Sequence, residues 1–593
     1  MNQSANRNDF RKFFTSTLII AAILVGLNLT HAQEVLFRQV ADKKTDTHVE
    51  VTSLFSDPSI GGYHPIRVFI SNGQLVNHTI HLNFQSFTSY NGSLSTSSRY
   101  SFTIKSGEVV SYDILVPLTA QNGNNYYEQF KVSLSGTMGN NGHNDTIRFG
   151  AHHPCVLLSD KLHAPNASAL DSEVATRSSS SPHYSGTSGY FSSRFSPTQL
   201  PDDWRAYSGF DSILMTSNDW MSVPSGPRNA IISWMRLGGQ VIIYSDSASN
   251  PNALGLPSDI SFGEYLIKNI SGDRLDPKPT VDLVYNRKIK TRITAATKDF
   301  NTSWPLQKLL NTKDFNSILF ILILIIFGII VGPVNLFVFA KSGRRHRLFI
   351  TTPIISILTS LLLIVLIILQ DGFGGEGKRL VLMEVRPDDN QNAAFIHQEQ
   401  FSRTGVMTSP SFTIEESALF TPVPLRASRW SRFTDSTSSG NYDIQPTGGK
   451  LYASGSWFQS RSEQGQLISA VVPTRGRIEL GKQDGEIVSN FDFPIKTLLY
   501  LDEKGQWHRV ENLTKGKSSK LISIDPTMIQ PILNDLNLKF TERNKAFFKK
   551  VQDRKGHYIA ITEDVPGINA PGINTHPSID WETTTIITGP IVR

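Results

Sequence analysis

Residues 318–369 read ILFILILIIFGIIVGPVNLFVFAKSGRRHRLFITTPIISILTSLLLIVLIIL, and the placing of every other segment depends on them. Ile318–Phe339 is apolar apart from Gly328, Gly332, Pro333 and Asn335, and Leu348–Leu369 is broken only by Thr351, Thr352, Pro353, Ser356, Thr359 and Ser360. Each run is about 33 Å long as a helix, enough to cross a hydrocarbon core of roughly 30 Å. Core helices of soluble proteins rarely run so far without a charge. The connector 341–347 holds Lys341, Arg344, Arg345 and Arg347. Basic residues in short loops stay cytoplasmic, so this spacing predicts a transmembrane hairpin with its turn inside and both flanks outside.

Features within the hairpin point to packing. Gly328 and Gly332 form a G-x-x-x-G pair that lets helices approach closely, either the two spans of one chain or two copies in a homodimer through the first span. Pro333 predicts a kink, and Asn335 lies near the cytoplasmic end. An isolated Asn without a charged partner is poor grounds for an ion path.

Working outward, Arg7, Arg11 and Lys12 precede the apolar stretch Leu18–Leu29 and then Thr30-His-Ala32. That order predicts a secretory signal peptide, residues 1–32, cut after Ala32, with an uncleaved anchor of the same topology as the alternative. Signal and hairpin together put residues 34–315 and 370–593 on one extracytoplasmic side of the cell (inner) membrane. The chain has 593 residues, a net charge of +6 and 39% hydrophobic residues, with a mean hydropathy of −0.18. These values fit large water-soluble domains on a small membrane part. The densest basic cluster is the connector, and no domain carries the basic stripe that nucleic acid requires, so no nucleic acid partner is expected. A sole cysteine, Cys155, excludes an intrachain disulfide and any multi-cysteine metal site. No cofactor is expected.

Residues 34–150 alternate β-rich runs with turn residues: Tyr63–Ser71, Thr79–Ser86, Val109–Pro117 and Tyr126–Ser135. This predicts an exported, immunoglobulin-like β-sandwich with Phe69, Phe84 and Phe130 in its core. The stretches Asn122–Asn125 and Asn140–Asn144 read as exposed hairpin loops.

Residues 151–300 change pattern. Cys155–Asp160 reads as a buried strand and Ser168–Ser196 as a long surface loop with limited helix. Then come a strand at Asp211–Thr216, a helix Pro227–Leu237 stopped by Gly238-Gly239, and a strand at Gln240–Ser245. Strand, helix and strand in this order predict a Rossmann-like α/β domain with a parallel sheet. Asp160, Asp202, Asp203 and Asp246, with Asp219, are candidates for a ligand or metal site at the carboxyl ends of the strands, against a default of solvated loop carboxylates.

The run Leu200-Pro-Asp-Asp-Trp204 and the helix end Trp234-Met-Arg-Leu-Gly-Gly-Gln-Val-Ile-Ile243 resemble the class I glutamine-amidotransferase-like fold. The likeness is greatest to the version in an uncharacterised family of bacterial membrane proteins. Gly332-Pro-Val-Asn335, followed by a basic turn and Leu348-Phe-Ile-Thr-Thr-Pro353, is similar to the Gly-Pro-x-Asn hairpin of that same family. The resemblance covers residues 60–593 in outline. It implies an N-terminal β-sandwich, an amidotransferase-like domain, the hairpin and a C-terminal β domain, and it implies no established activity. Active members of the superfamily carry a nucleophilic cysteine on a glycine-flanked turn. Here Cys155 opens a strand behind His152-His153-Pro154, so the nucleophile is missing and no catalytic residue is assigned.

In residues 378–593 short strands recur at Arg379–Val385, Ser411–Ile414, Gly465–Val472, Arg477–Leu480, Lys496–Leu501 and Gln506–Val510, with a turn at Asp502–Gly505 and a final strand at Ile579–Ile587. A second β-sandwich is expected, with helix over Pro526–Gln552. The glycines of Gly372–Gly377 match G-x-G-x-x-G but lie between a membrane span and a strand, which is no dinucleotide site. Trp304 is expected at the outer membrane interface. The whole reads as a fold that is multidomain, α/β plus all-β, with a two-helix transmembrane hairpin. The expected function is that of a non-catalytic envelope protein held in the lipid bilayer, whose exported domains bind protein partners or polymers. Two alternatives stand beside it: an exported hydrolase or transferase using the α/β carboxylates, and an accessory subunit of a transport complex.

Overall fold

A computed structural model describes residues 34–592 except 60, 89–93, 120–127, 148–153, 179–190, 247–250, 258, 261, 288–303, 311–316, 388–391, 416, 424–439, 448 and 564–571. The expected signal peptide, the loop expected at Asn122–Asn125, His152 and His153 lie outside the described residues.

Eight strands open the chain: β1 (Glu34–Asp42), β2 (Thr47–Ser53), β3 (Gly62–Ser71), β4 (His78–Thr88), β5 (Leu94–Ile104), β6 (Val109–Leu118), β7 (Glu128–Gly136) and β8 (Asn141–Ile147). One sheet runs β1-β2-β3-β6, and a second contains β5-β4-β7-β8. Val49, Val51, Ile66, Val68 and Ile70 of the first share a core with Ile80, Leu82, Phe84 and Val132 of the second. Phe84 and Phe130 stack in this core at 6.1 Å. Phe69 does not join them, because it alternates to the other face of β3 and meets His48 at 5.6 Å. Asn140–Asn144 is no loop either. Asn141–Ile147 pairs with β7, and the reversal falls earlier, where Gly136 and Gly139 have φ of 129° and 104°. Backbone pairing along a sheet edge makes little demand on side chains, so an Asn/Gly-rich segment takes it up.

The next region holds β9 (Val156–Ser159), α1 (Asp160–Ser178), β10 (Ser192–Phe195), β11 (Ser212–Thr216), α2 (Ser217–Ser222), α3 (Ser225–Arg236), β12 (Gln240–Ser245), β13 (Glu264–Asn269) and α4 (Pro277–Tyr285). All strands are parallel, in the order β10-β9-β11-β12-β13. Alternate strand residues feed two cores, as a sheet covered on both faces requires. Val156, Leu158, Leu214 and Ile242 meet Leu162, Leu170, Val174, Val281 and Val284 of α1 and α4. Leu157, Ile213, Met215, Val241 and Ile243 meet Ile231 and Met235 of α3. The loop expected over Ser168–Ser196 is corrected here, since its described parts are helix α1 and strand β10. The helix escapes a sequence reading because its buried stripe, at positions 162, 166, 170 and 174, is broken by a polar residue. Asn166 is buried, donating to the Leu162 and Asp273 carbonyls at 2.7 Å each and accepting from the Leu275 amide at 2.7 Å.

A short helix, α5 (Pro305–Leu309), precedes α6 (Ser317–Ile329). The latter continues over Ile330–Phe339 in wider turns, with the Ala340 amide reaching back to the Asn335 carbonyl at 2.9 Å. Pro333 inside this stretch lacks an amide, which accounts for the altered winding. After the turn comes α7 (Leu348–Asp371). Two helical stretches, Ile321–Phe339 and Arg345–Leu366, are long and apolar enough to cross a membrane, and almost none of their surface is covered by the rest of the protein.

The chain returns as β14 (Gly375–Arg386), β15 (Ala393–Thr404), β16 (Phe412–Ile414), β17 (Ala418–Val423), β18 (Gly440–Thr447), β19 (Lys450–Gly455), β20 (Glu463–Pro473), β21 (Ile478–Leu480), β22 (Glu486–Ser489), β23 (Ile495–Leu501), β24 (Trp507–Leu513), β25 (Ser518–Lys520) and β26 (Ile522–Ile524). Helices α8 (Pro526–Lys539) and α9 (Glu542–Gln552) follow, then β27 (His557–Glu563) and β28 (Ile579–Val592). Most of these strands form one sheet along β17-β20-β15-β14-β28-β27-β23-β24-β26. Strands β21, β22 and β25 branch from it through β28, and not every C-terminal strand belongs to it. Strands β16, β19 and β18 extend the N-terminal sheet instead, with β18 parallel to β5 in the register Gly440↔Leu94 to Asp443↔Ser97. Ser95 and Ser97 hydroxyls donate to the side chains of Asn441 and Asp443 across 346 residues of chain, at 2.7 and 3.0 Å. The segments before and after the hairpin are therefore one hydrogen-bonded body.

Trp304 belongs to this body and not to an interface with lipid. It is fully buried, its ring edge-on to Phe401 at 5.6 Å, and its Nε1–H donates to Glu399 Oε2 at 3.0 Å. Glu399 also accepts from the Thr541 hydroxyl and Asn544 Nδ2, each at 2.5 Å. Burial pushes the Glu399 carboxyl above its ordinary range, against the pull of these donors. At the far end of the hairpin, the buried Asp371 carboxylate pairs with Arg461 at 2.9 Å.

Candidate functional site

The site is assembled around the first residues of β3. Gly62 has φ 76°, and a Cβ on it would stand 2.5 Å from the Gly209 amide, so β3 crosses the α/β region backbone to backbone. The Tyr63 amide then donates to Ser208 Oγ at 3.0 Å. This contact sets the single-turn helix Trp204–Tyr207 against the strand. Asp203 caps that turn, accepting the Arg205 amide at 2.9 Å and the Arg205 guanidinium at 2.6 Å. Arg205 lies over the Tyr63 ring, 5.5 Å from its centre. Burial works against the Arg205 charge, but the Asp203 hydrogen bond and charge outweigh it and raise its pKa.

Opposite stand the end of β6 and the β18–β19 hairpin. Together they enclose a cleft of about 300 Å³ lined by Tyr63, Pro65, Tyr100, Asp113, Ile114, Leu115, Pro117, Pro201, Asp202, Asp203, Arg205, Ile444, Pro446 and Leu451. The Tyr100 hydroxyl donates to the Leu115 carbonyl, and burial raises both the Tyr63 and Tyr100 hydroxyls. Asp113 is engaged by Arg67 in a two-point fork at 2.7 and 2.8 Å. The lining is an apolar, proline- and tyrosine-rich floor with three carboxylates and one guanidinium at its edge. That chemistry suits an extended ligand offering flat or aliphatic surface beside hydrogen-bond donors.

The structure divides the sequence candidates. Asp202 and Asp203 share this cleft. Asp160 starts α1 and lies 3.5 Å from Arg194. Asp246 follows β12 as an exposed residue. Asp219 accepts the Ser159 hydroxyl at 2.6 Å and, inside the first turn of α2, the amide of its cap Thr216 at 3.2 Å. Neither Asp160 nor Asp246 lines the cleft, and no group of three or more His, Cys, Asp or Glu among the described residues is placed to hold a metal. Cys155 is buried, with its amide donating to Asp211 Oδ2 at 3.1 Å. Trp457, in the C-terminal strands, is buried too. Within the hairpin, Gly328 and Gly332 face open space, with nothing within 4 Å of a Cβ built on either. The two helices are instead joined by Asn335, which is buried, donates to Thr352 Oγ1 at 2.9 Å and accepts from Thr351 Oγ1 at 2.6 Å. Sequence reading missed Tyr63, Tyr100, Asp113, Arg205 and Ile444, which come from five separate elements. The one local signal was the Leu200–Trp204 run.

No protein-family model and no curated protein matches the chain. Among solved structures, a Paenibacillus sp. cycloisomaltooligosaccharide glucanotransferase is similar over 35% of this chain and 29% of its own, at 7% identity and a TM-score of 0.17. A Bacteroides uniformis beta-glucuronidase covers 38% of this chain and 36% of its own, at 8% identity and a TM-score of 0.16. The yeast delta-COP-I mu-homology domain, solved with a Dsl1 WxWxV peptide, covers 36% of this chain and 95% of its own, at 10% identity and a TM-score of 0.16. The chain spans about a third or less of the length of the first of these, and likenesses at such scores carry no argument about fold or function.

Proposed function

We propose that this chain is a non-catalytic, membrane-anchored protein of the cell envelope, whose soluble parts bind an extended protein or polymer in the cleft between β3, β6, the Trp204–Tyr207 turn and the β18–β19 hairpin. One observation carries the reading: the cleft takes its walls from segments on both sides of the hairpin. Its shape therefore depends on both having reached the same side of the bilayer. The basic turn supports the reading that this side lies outside the cytoplasm. The soluble parts correspond on this reading to a β-sandwich and an α/β domain of the amidotransferase-like membrane family, lacking its nucleophile. The carboxylates support binding over chemistry, since Asp203 and Asp113 are held in forks by Arg205 and Arg67.

The presence of Asp113, Asp202 and Asp203 on one cleft favours a second reading, hydrolysis or transfer on a bound polymer. Complementation of a deletion strain separates the two. Binding predicts that Asp202→Asn, which keeps the shape of a cleft carboxylate and removes its charge, complements fully, while Pro446→Arg, which fills the cleft from an exposed position, fails at normal membrane abundance. The reverse pattern would establish the enzyme.

A further inference from the structure

We propose that the turn Lys341–Arg347 is a binding site for the phosphate headgroups of anionic phospholipids. The proposal rests on the reading that α6 and α7 cross a bilayer, and it adds a ligand to what is otherwise a connector. Lys341, Arg344, Arg345 and Arg347 are all exposed, and none has an ion-pair partner among the described residues. Between Ile318 and Gln370 the sequence contains no Asp or Glu, so nothing within the hairpin neutralises the four charges.

The turn is also held in one shape. The Arg344 amide donates to the Lys341 carbonyl at 2.9 Å and the Arg347 amide to the Arg344 carbonyl at 3.0 Å, while Gly343 takes φ 89° to let the chain reverse. The Thr351 hydroxyl stands 3.0 Å from the Arg347 carbonyl and 2.6 Å from Asn335 Oδ1, so the polar clasp between the helices reaches the base of the turn. A seven-residue turn tied at both ends to apolar helices cannot leave the depth at which those helices emerge from hydrocarbon. Headgroup phosphate lies at that depth, whereas a soluble polyanion must come to it through the headgroup layer. Lipid phosphate is therefore the occupant.

The test uses the full-length chain in nanodiscs of mixed phosphatidylglycerol and phosphatidylcholine, with spin-labelled lipids reporting which is retained at the protein surface. The expected result is a preference for phosphatidylglycerol of at least about fivefold, the effect of one surface cation. It should weaken with salt, persist in R344K/R345K/R347K and fall to parity in K341Q/R344Q/R345Q/R347Q. An inserted wild-type chain that retains both lipids equally overturns the site and leaves the cleft reading standing. A preference unchanged in the glutamine variant overturns it too, as does tighter binding of a soluble oligonucleotide than of phosphatidylglycerol vesicles. Failure of the wild-type hairpin to be protected from protease in nanodiscs overturns the membrane reading itself.

Discussion

Gly465 has no side chain because Trp304 occupies the space: a Cβ there would lie 2.0 Å from the indole Cζ3. That glycine, on β20, lets the segment ahead of α6 dock on the large sheet. Gly465→Ala must displace the ring or the strand, and overpacking of this kind costs about 1–3 kcal/mol. Thermal unfolding of the detergent-solubilised chain should show that loss. A red shift in tryptophan emission should accompany it, absent when the substitution is made in a Trp304→Phe background. Asn335 makes the comparable contact inside the hairpin. Asn335→Leu removes both hydrogen bonds to Thr351 and Thr352. A loss of about 0.5–1.5 kcal/mol is expected from polar contacts between membrane helices, read as earlier separation of the helices in a denaturing-detergent titration.

At the scale of elements, the pairing of β18 with β5 makes the firmest prediction. Ser95 and Asn441 are partners in register. The double variant Ser95→Cys/Asn441→Cys, made with Cys155→Ser, should form a disulfide under mild oxidation in intact cells. Non-reducing electrophoresis after one proteolytic cut in the hairpin would then keep the two halves together. Separate halves would place residues 95 and 441 on opposite sides of the membrane or out of contact. The same pairing shows what a sequence can reveal. The apolar runs at 318–339 and 348–369, the βαβ order from β11 to β12 and the Asp502–Gly505 turn were legible because each is encoded within a few residues of itself. The attachment of β18 was not, since the part of β5 that meets it (Leu94-Ser-Thr-Ser97) carries no apolar alternation and its partner lies 346 positions away. Helix α1 was hidden by Asn166 in its buried stripe. Of the cleft, Asp202 and Asp203 were legible from their place beside Trp204. Tyr63 read only as a strand residue and Tyr100 fell between the expected strands, because what makes them a wall is the crossing of Gly62 over Gly209.

Across the whole molecule, buried titratable groups set the response to acid. Burial lowers His64 and His397 to about 3 and His557 to about 4. Unfolding frees each to take a proton below its usual range near 6.5, so stability is full above that pH and is lost as pH falls toward the native values. Asp171 acts oppositely. Burial raises it to about 6, and its stabilising contribution is present at low pH and lost as pH rises from about 4 through 6. The three histidines outweigh Asp171 and Glu399, whose carboxyl burial also raises, which predicts that Tm falls between pH 7 and 5. Asp171→Asn, which keeps an oxygen to accept the Phe191 amide now bonded at 2.8 Å, should make that fall steeper. A shallower slope in calorimetry would contradict the assignment.

The shared sheet also has a consequence for biosynthesis. Strand β5 emerges early, yet its neighbour Gly440–Thr447 follows some 346 residues later, after the hairpin has been made. At roughly 5–20 residues per second the nascent sheet waits on the order of 17–70 seconds with an open edge. During that interval it is a target for chaperones, and a chain that stops within the hairpin would leave the edge open for good and aggregate through it.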